Sequence, residues 1–346
     1  FCCVTGVQTC ALPIYTISVL EDSDGNIWVG TWGSGVTKLN KEKNTYQHYR
    51  HDPKDPNSLS GDNAWTIFED SQKTIYIGTY WGGLSIYNKE ENNFTQFTKD
   101  ASVEGNIMGN DVNFIFEDSN NNIWVGVYNG GLNIFDRTTQ KFSHVFNTFQ
   151  ENSISSNIVN AMHEDSVGNL WMATSEGLNF YDIKENKFYY FTENEGLCHN
   201  YIVNLVGDDN GNLWLSTKGG LSKFNIREKV FTNFSISDGL QDMEFKDHAT
   251  SKSSNGLIYL GGINGFNEFH PDSIQSSLYE APIVITNFLI FNKPVPIAND
   301  AFPDSPLKKD ISETEEIVLS YEQSVLSFEF TSLNYANKYR NVYSDI

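Results

Sequence analysis

The sequence has few of the residues from which catalytic, metal and disulfide sites are built. Its 346 residues include only four cysteines and four arginines. The seven histidines show no His-Glu-x-x-His spacing, and the chain has no glycine-rich phosphate loop and no nucleophile elbow. No apolar run reaches the roughly 18 residues of a transmembrane helix candidate. We therefore expect no catalytic residues, no metal, no cofactor and no membrane span within this chain.

Positive charge is also scarce. The chain has 23 Lys and Arg residues against 44 Asp and Glu residues, which gives a formal net charge of −21. Proteins that bind nucleic acid neutralise phosphates with Lys and Arg side chains, so we do not expect nucleic acid as a partner. Hydrophobic residues make up 39% and aromatic residues 14% of the chain, which is enough for a large core.

Residues 1–14 do not follow the pattern of the rest. Residues 4–14 resemble the translation of a sequencing adaptor, and they lack the basic start and uninterrupted apolar core of a signal peptide. We expect residues 1–14 to be an assembly artefact outside the fold, and the natural protein to begin upstream. Without Cys2, Cys3 and Cys10, only Cys198 remains, so no disulfide framework is predicted.

One short sequence motif recurs six times. In each copy a turn is followed by an aromatic residue at the start of a run of strand-forming residues. Five of the turns are acidic, the sixth is not, and the aromatic anchors recur every 43 to 48 residues. A period of this size, built from strands and turns, indicates one supersecondary unit that is repeated and stacked. The anchors are Trp28, Tyr76, Trp124, Trp171, Trp214 and Tyr259.

The second copy shows what one repeat builds. Apolar, β-branched and aromatic residues predict strands at 64–68, 75–79, 84–87 and 94–97, separated by polar or glycine turns. Four antiparallel strands repeated radially form a β-propeller blade. We therefore predict an all-β fold, with six visible four-stranded blades over residues 15–274, as part of a ring of seven that is incomplete at its N-terminus.

The aromatic anchor and the acidic turn both have structural explanations. One aromatic side chain can bury roughly 150–250 Å², worth about 4–6 kcal/mol as an upper bound, when it packs between neighbouring blades. Asp22, Asp24 and Asn26 alternate as calcium ligands do. Other copies lose that alternation, with Gln72 and Lys73 in the equivalent span. We therefore interpret the turns as ordinary Asx-type turn chemistry.

The repeats end near residue 274, and a different strand-rich segment follows. Strands are predicted at 283–291, 316–319 and 326–331, with a Pro- and Asp-containing loop between them. Short strands separated by turns are typical of a small β-sandwich. We predict that residues 280–346 begin an Ig-like β-sandwich that is truncated at residue 346.

The repeats resemble the two-component regulator propeller repeat, whose pattern is an acidic turn, Gly-Asn, an aliphatic residue, Trp, Gly-Thr and then Gly-Gly-Leu. Residues 25–31 (Gly-Asn-Ile-Trp-Val-Gly-Thr) and 122–126 followed by 130–136 fit this pattern, whereas Ser34-Gly35 and residues 175–177 depart from its Gly-Gly. Residues 326–336 resemble the start of the three-tyrosine domain that follows such propellers. Together the two resemblances cover nearly all of residues 15–346.

This resemblance implies the periplasmic sensor region of a hybrid two-component histidine kinase, of the kind common in gut Bacteroidetes. In that family the sensor binds a glycan fragment or similar nutrient, and the three-tyrosine domain couples it to a kinase through a membrane helix. The implied receptor is a homodimer, with its contact to the membrane made through downstream segments. This fragment is then not itself an enzyme.

Ligand-binding residues are expected on the face shared by the loops before each inner strand and the loops between the second and third strands. Aromatic rings stack on sugar faces, while Asn and Asp exchange hydrogen bonds with hydroxyls. The candidates are Trp32, Tyr80, Trp81, Tyr128 and Asn129, with Asn63, Asp111, Asn157 and Asn200 before the inner strands. The alternative for Tyr80 and Trp81 is packing between blades or against a partner.

Two other functions stay open. The acidic turns are similar to the Asp-box of sialidases, which raises a glycan-cleaving propeller enzyme as an alternative. Arg50, Arg137 and Arg227 occupy outer-strand or loop positions, and Arg340 lies outside the propeller, so an arginine cluster for a carboxylate substrate is hard to build. A propeller that binds only protein partners is the third possibility.

Overall fold

The structure is a computed structural model that describes residues 15–150, 152–274 and 282–332. The predicted artefact at residues 1–14, Arg340 and the end of the predicted sandwich therefore lie outside the described residues. The chain divides into two compact units, Phe1–Ile274 and Gln275–Ile346. No helix among the described residues has the length and apolar character needed to cross a membrane.

The first unit consists of strands joined by short turns, with three short 3₁₀ helices at Glu193–Glu195, Ile236–Asp238 and Pro271–Ser273. Its strands are β1 Thr16–Glu21, β2 Asn26–Thr31, β3 Val36–Asn40, β4 Thr45–Tyr49, β5 Ala64–Glu69, β6 Ile75–Thr79, β7 Gly83–Asn88, β8 Asn93–Phe97, β9 Val112–Glu117, β10 Ile123–Val127, β11 Gly131–Asp136, β12 Lys141–Val145, β13 Val159–Glu164, β14 Leu170–Thr174, β15 Gly177–Asp182, β16 Lys187–Phe191, β17 Ile202–Gly207, β18 Asn212–Thr217, β19 Gly220–Asn225, β20 Val230–Phe234, β21 Phe245–Lys252, β22 Ile258–Gly262 and β23 Gly265–Phe269.

These strands form six antiparallel sheets in chain order. Strands β1–β4, β5–β8, β9–β12, β13–β16 and β17–β20 make five four-stranded sheets, each with its strands in sequential order. The first strands of the sheets pack against one another in series, from β1 through β5, β9, β13 and β17 to β21. This radial arrangement confirms the predicted β-propeller.

The sixth sheet differs from the prediction of four strands. Among the described residues it contains three, in the order β21-β22-β23. After β23 the chain turns into the 3₁₀ helix at Pro271–Ser273 instead of pairing back. Proline lacks the N–H of a sheet ladder and favours the first turn of a helix, which accounts for the stop.

The aromatic anchors are core residues in five of the six repeats. Trp28, Tyr76, Trp171 and Trp214 are each no more than 1% exposed, and Trp124 is 8% exposed. Tyr259 in the sixth repeat is only half-buried, so its predicted place between two sheets stays a prediction. The inner strand of the fifth sheet, β17, packs closely against β21 of the sixth.

Each buried anchor is tied to the acidic turn six residues before it. In the third repeat the Asp118 carboxylate accepts the indole N–H of Trp124 at 2.8 Å and the main-chain N–H groups of Asn120 and Asn122 at 3.0 and 2.8 Å. The same bonds recur in the first, fourth and fifth repeats, and Tyr76 donates its hydroxyl to Asp70. The carboxylates therefore organise the turn and the core, as the turn interpretation requires.

The residues on either side of the turn aspartate connect neighbouring sheets. The N–H and hydroxyl of Ser71 donate to the two carboxylate oxygens of Glu117 in the next repeat, at 2.6 and 2.9 Å. Ser23 bonds Glu69 and Ser119 bonds Glu164 in the same way. The repeated Glu-Asp-Ser motif thus links neighbouring blades through hydrogen bonds.

Close packing requires glycine at two positions of the second sheet. Gly83 opens β7 with φ of +89°, and a Cβ atom there would lie 2.2 Å from the carbonyl oxygen of Phe97. A Cβ at Gly78 would come within 2.4 Å of Val112 on the next inner strand. Glycine avoids the overlap at both positions and, at Gly83, the strained backbone as well.

The second unit contains a three-stranded antiparallel sheet in the order β25-β24-β26, formed by β24 Ile283–Ile290, β25 Lys293–Pro294 and β26 Leu326–Ser332. A 3₁₀ helix spans Ile311–Glu313. The strand predicted at 316–319 is absent. Ile317 and Leu319 pack against the small core of Phe288, Leu307 and Ile311, but their main chain takes no part in a sheet. The Ig-like sandwich stays a prediction.

Candidate functional site

A β-bulge near the start of each inner strand determines which side chains reach the centre of the propeller. In the second sheet Ala64 pairs with Thr79 and Thr66 with Gly78, so Trp65 has no residue opposite it. The same register shift isolates Ile17, Asn113, Asn160 and Val203 in the other four-stranded sheets. In β21 the interruption is wider and covers residues 246–249. Bulges redirect side chains, here from the sheet surface toward the axis.

These redirected side chains enclose a cavity of about 300 Å³, which we call the axial cavity. Buried residues of the inner strands such as Val203 contribute to its wall, and the half-exposed loop residues Trp32 and Tyr128 lie at its opening. Its volume is at the lower end of the range for small-molecule sites, about 300–1,000 Å³. It is lined by Trp32, Trp65, Tyr80, Asn113, Tyr128, Asn160, Tyr201, Val203, Asp247 and His248.

Part of the cavity wall is a continuous group of aromatic rings. The Trp32 ring centroid lies 5.9 Å from that of Trp65 and 5.7 Å from that of Tyr80, and Trp65 and Tyr80 are 5.6 Å apart. Trp81 extends this group outward, 5.2 Å from Tyr80, and is 66% exposed. His248 of the sixth sheet contacts Trp65 edge-on at 5.5 Å. Such a wall can stack on an apolar face of a ligand.

The inner strands of the third and fourth sheets add amide groups. The Asn160 side-chain NH₂ donates to the carbonyl oxygen of Ile202 at 2.7 Å, and that of Asn113 donates to Val159 at 3.5 Å. Each amide therefore links its strand to the next inner strand. Each NH₂ group uses one of its two N–H bonds in this way, and the amide oxygen is available to accept a hydrogen bond from a ligand.

Asp247 and His248 are ionisable residues of the interrupted segment 246–249 in β21. The Asp247 side chain is accessible from the cavity but enclosed by protein, and this desolvation raises the pKa of its carboxyl, opposed in part by Lys218 and Lys246. Burial lowers the pKa of His248 to about 4, so its imidazole is neutral at pH 7. Burial and the nearby Asp247 charge also raise the pKa of Tyr201.

Five of the nine predicted site residues belong to the aromatic part of the site or position it. Trp32, Tyr80 and Tyr128 line the cavity. Asn63 and Asp111 accept the main-chain N–H groups of Tyr80 and Tyr128 on their carbonyl oxygens, both at 2.8 Å. These two bonds fix the loops that carry the rings.

The remaining predicted residues lie outside the cavity lining. Trp81 is anchored by its main-chain N–H, which donates to the Asp111 carboxylate at 2.8 Å. The carbonyl groups of Asn157 and Asn200 accept N–H groups from the preceding sheet, and their side chains accept N–H groups of their own loops at 2.7 and 2.9 Å. Asn129 is an exposed turn residue with φ of 56°. The structure thus gives Asn157, Asn200 and Asn129 roles in the loops themselves.

Sequence reasoning did not select seven of the ten lining residues. The signal that could have found four of them is positional, because the second residues of β5, β9, β13 and β17 are Trp, Asn, Asn and Val. Tyr201 precedes β17 at the position that Asn63 and Asp111 hold in their own repeats. The seven are Trp65, Asn113, Asn160, Tyr201, Val203, Asp247 and His248.

The arginines of the described residues lie away from the cavity. Arg137 is partly buried between the second and third sheets, where it pairs with Asp70 at 2.9 Å and Glu117 at 2.6 Å. Arg50 pairs with Asp62, and Arg227 is exposed in a loop. The described part of the chain contains no group of three or more His, Cys, Asp or Glu side chains placed to hold a metal ion.

The sequence matches the family described as two component regulator propeller at residues 11–33, 58–81, 106–129, 153–176 and 196–219. The matched segments recur with the period of the sheets, and all five end in the loop between the second and third strands. Histidine kinase P4 of Formosa agariphila is 34% identical over 101 residues, which are 29% of this chain and 7% of that protein.

Two extracellular domains from B. thetaiotaomicron, of the proposed hybrid two component systems BT4673 and BT3049, have similar structures. The first has a TM-score of 0.58 at 21% identity and covers 93% of this chain and 42% of its own. The second has a TM-score of 0.55 at 25% identity and covers 95% of this chain and 48% of its own. The chain thus spans less than half the length of these relatives. Five segments of this chain, one in each of the first five sheets and the loop before it, are thus similar to the two component regulator propeller repeat.

Proposed function

We propose that this chain is the ligand-sensing region of a hybrid two-component histidine kinase, and that its axial cavity binds a glycan fragment. The family match and the likeness to extracellular domains of such systems support the sensor role. In this proposal the region lies in the periplasm, and the full-length receptor is a homodimer that relays binding to a kinase across the membrane.

The observation that carries the glycan assignment is the convergence of bulged residues on one cavity with an aromatic wall and amide oxygens. A sugar ring has an apolar face of C–H groups and a rim of hydroxyls. Trp65 and Tyr80 offer ring faces, and Asn113 and Asn160 offer acceptors for hydroxyl donors. The cavity volume of about 300 Å³ suits one terminal sugar unit, with further units outside near Trp81.

Glycan cleavage is not supported by the cavity. Glycosidases of the common retaining and inverting types use two carboxyl groups on either side of the bond that breaks. Among the lining residues of the described chain, Asp247 alone carries a carboxyl group. Binding without turnover is therefore the function that the residues favour.

Isothermal titration calorimetry of the purified chain against a panel of oligosaccharides tests the proposal. We expect one saturable ligand class, with Trp65→Ala weakening binding at least about tenfold through loss of an aromatic contact worth about 1.4 kcal/mol. Tyr46→Ala is the control, because Tyr46 is 71% exposed on the outer strand β4. An equal loss in both variants, or no binding to any glycan, would contradict the proposal, and release of product would favour the enzyme.

A further inference from the structure

The axial cavity offers acceptors for the hydrogen-bond donors of a ligand. The amides of Asn113 and Asn160 each use one N–H to bond the carbonyl group of the next inner strand, and their oxygens are available as acceptors. The Asp247 carboxylate adds two more acceptor atoms, and within the described residues neither is engaged in a hydrogen bond or an ion pair. Both oxygens are therefore open to hydrogen-bond donors of a ligand.

The charge of the cavity is also one-sided. No lining residue of the described chain is a Lys or Arg, and Asp247 is its carboxyl group. Lys218 and Lys246 are near enough to lower the pKa of Asp247, but neither lies within ion-pair distance of it. An anionic sugar would face Asp247 without a bidentate arginine partner. A cationic group would instead face a carboxylate of opposite charge.

The aromatic wall favours the same sign of charge. Ring faces attract ammonium groups, and a desolvated contact can contribute about 2 kcal/mol. One such contact already exists beside the cavity, where the ammonium nitrogen of Lys218 lies 3.9 Å from the centroid of the Tyr201 ring. The rings of Trp32, Trp65 and Tyr80 form the corresponding surface inside.

We infer that the axial cavity takes an amino sugar unit with a protonated amine, and that Asp247 is the residue that selects for its charge. This inference rests on the proposed glycan-sensing function and narrows its ligand class. The sugar face stacks on Trp65 and Tyr80, the hydroxyls donate to Asn113 and Asn160, and the ammonium group pairs with Asp247. Pairing with the ammonium group also favours the ionised form of the carboxyl.

The test compares matched sugars that differ in one substituent. The purified chain is titrated by calorimetry with glucosamine, glucose and glucuronate, and with galactosamine, galactose and galacturonate. A pH of about 6.5 keeps the amine protonated, because such amines have pKa values of about 8. We expect at least one amino sugar to bind about tenfold more tightly than its neutral counterpart, and the acid to bind more weakly than both.

Variants then assign the preference to the carboxyl. Asp247→Asn keeps the shape and should reduce the amine-to-neutral affinity ratio to near one, while neutral-sugar affinity changes less than about threefold. Glu244→Gln removes a charge from an exposed side chain of the same segment and should leave the ratio unchanged. Lys218→Met removes a nearby cation and should raise the ratio, which provides a second readout if Asp247→Asn does not fold.

The outcomes separate this inference from the function on which it rests. Neutral sugars that bind as tightly as their amines, or a ratio unaffected by both Asp247→Asn and Lys218→Met, would overturn the amino-sugar assignment and leave glycan sensing intact. Tighter binding of the acids would also overturn it. Failure of every glycan in the wider panel would instead refute the proposed function itself.

Discussion

Substitution of Asp208 tests whether the acidic turns hold the propeller together. One carboxylate oxygen accepts the main-chain N–H groups of Asn210 and Asn212 at 2.9 and 2.8 Å, and the other accepts the indole N–H of Trp214 at 2.9 Å. In Asp208→Asn, one of these oxygens becomes an NH₂ group that faces N–H donors. Two bonds to a charged acceptor are lost, each worth about 1.5–3 kcal/mol. We expect unfolding free energy to fall by at least about 3 kcal/mol.

The assay is urea unfolding followed by tryptophan fluorescence, with thermal melting alongside. A loss of about 3 kcal/mol corresponds to a fall in Tm of roughly 6–12 °C for a unit of this size. Asp209→Asn is the matched control, because the neighbouring Asp209 side chain is 80% exposed and its pair with Lys252 is a surface ion pair. Such pairs contribute about 0–1 kcal/mol. Equal effects of the two substitutions would refute the structural role of the turn.

The pH dependence gives the same test an independent readout. Burial raises the pKa of Asp208, but the hydrogen bonds from Asn212, Trp214 and Asn210 outweigh it, so the pKa lies below its usual value. The folded pKa is thus below the unfolded one, about 3.9. Its contribution is complete above about pH 5 and is lost as pH falls through the lowered folded pKa. Asp208→Asn should therefore lose less stability than wild type between about pH 5 and 2.

Two further substitutions test the packing of the sheets by the same unfolding measurement. Gly83→Ala should cost about 3 kcal/mol, because φ is +89° and the new Cβ would lie 2.2 Å from the Phe97 carbonyl oxygen. Gly25→Ala should cost only about 1 kcal/mol, since φ is +78° but nothing lies within 4 Å, and a reversed order would contradict the packing argument. Arg137→Met should cost about 3 kcal/mol by leaving the fully buried Asp70 side chain without its cation, whereas a neutral result would mean that Tyr76 and the main-chain N–H groups of Gln72 and Thr74 satisfy it.

The local features of the repeat could be predicted from the sequence because their causes lie within a few residues. Asp118 and its anchor Trp124 are six residues apart, and the turn between them follows from side-chain bonds to the main chain. The strands of the second repeat were predicted within one residue of β5 to β8. Burial of the anchors follows from their size, except at Tyr259, which is only half-buried.

The cavity residues could not be predicted in this way, because a bulge depends on the pairing of two strands. Trp65 is isolated only because Thr66 pairs with Gly78, and the sequence of β5 alone does not show that register. The roles of the loop residues before the inner strands were also hard to predict. Asn157 and Asn200 bond the preceding sheet through the positions that Asp62 and Asn110 hold in the other repeats, one residue before Asn63 and Asp111.

The strand predicted at 316–319 shows a second kind of limit. Ile317 and Leu319 are two residues apart, as side chains on one face of a strand are, and both pack against the core around Phe288, while Val318 is 77% exposed. The composition of 316–319 predicted a strand, but composition does not decide whether the main chain pairs. Pairing needs a free strand edge at the right distance, and that is a property of the tertiary fold.

The bulges have a consequence for how such a receptor can change its ligand. A bulged residue takes no part in the ladder, so the hydrogen bonds between β5 and β6 do not depend on the identity of Trp65. The same separation holds for Asn113, Asn160 and Val203. Substitution at these positions leaves the ladder hydrogen bonds of the sheet itself in place, and the effects of distant positions add nearly independently. Specificity could be rebuilt one sheet at a time on an unaltered scaffold.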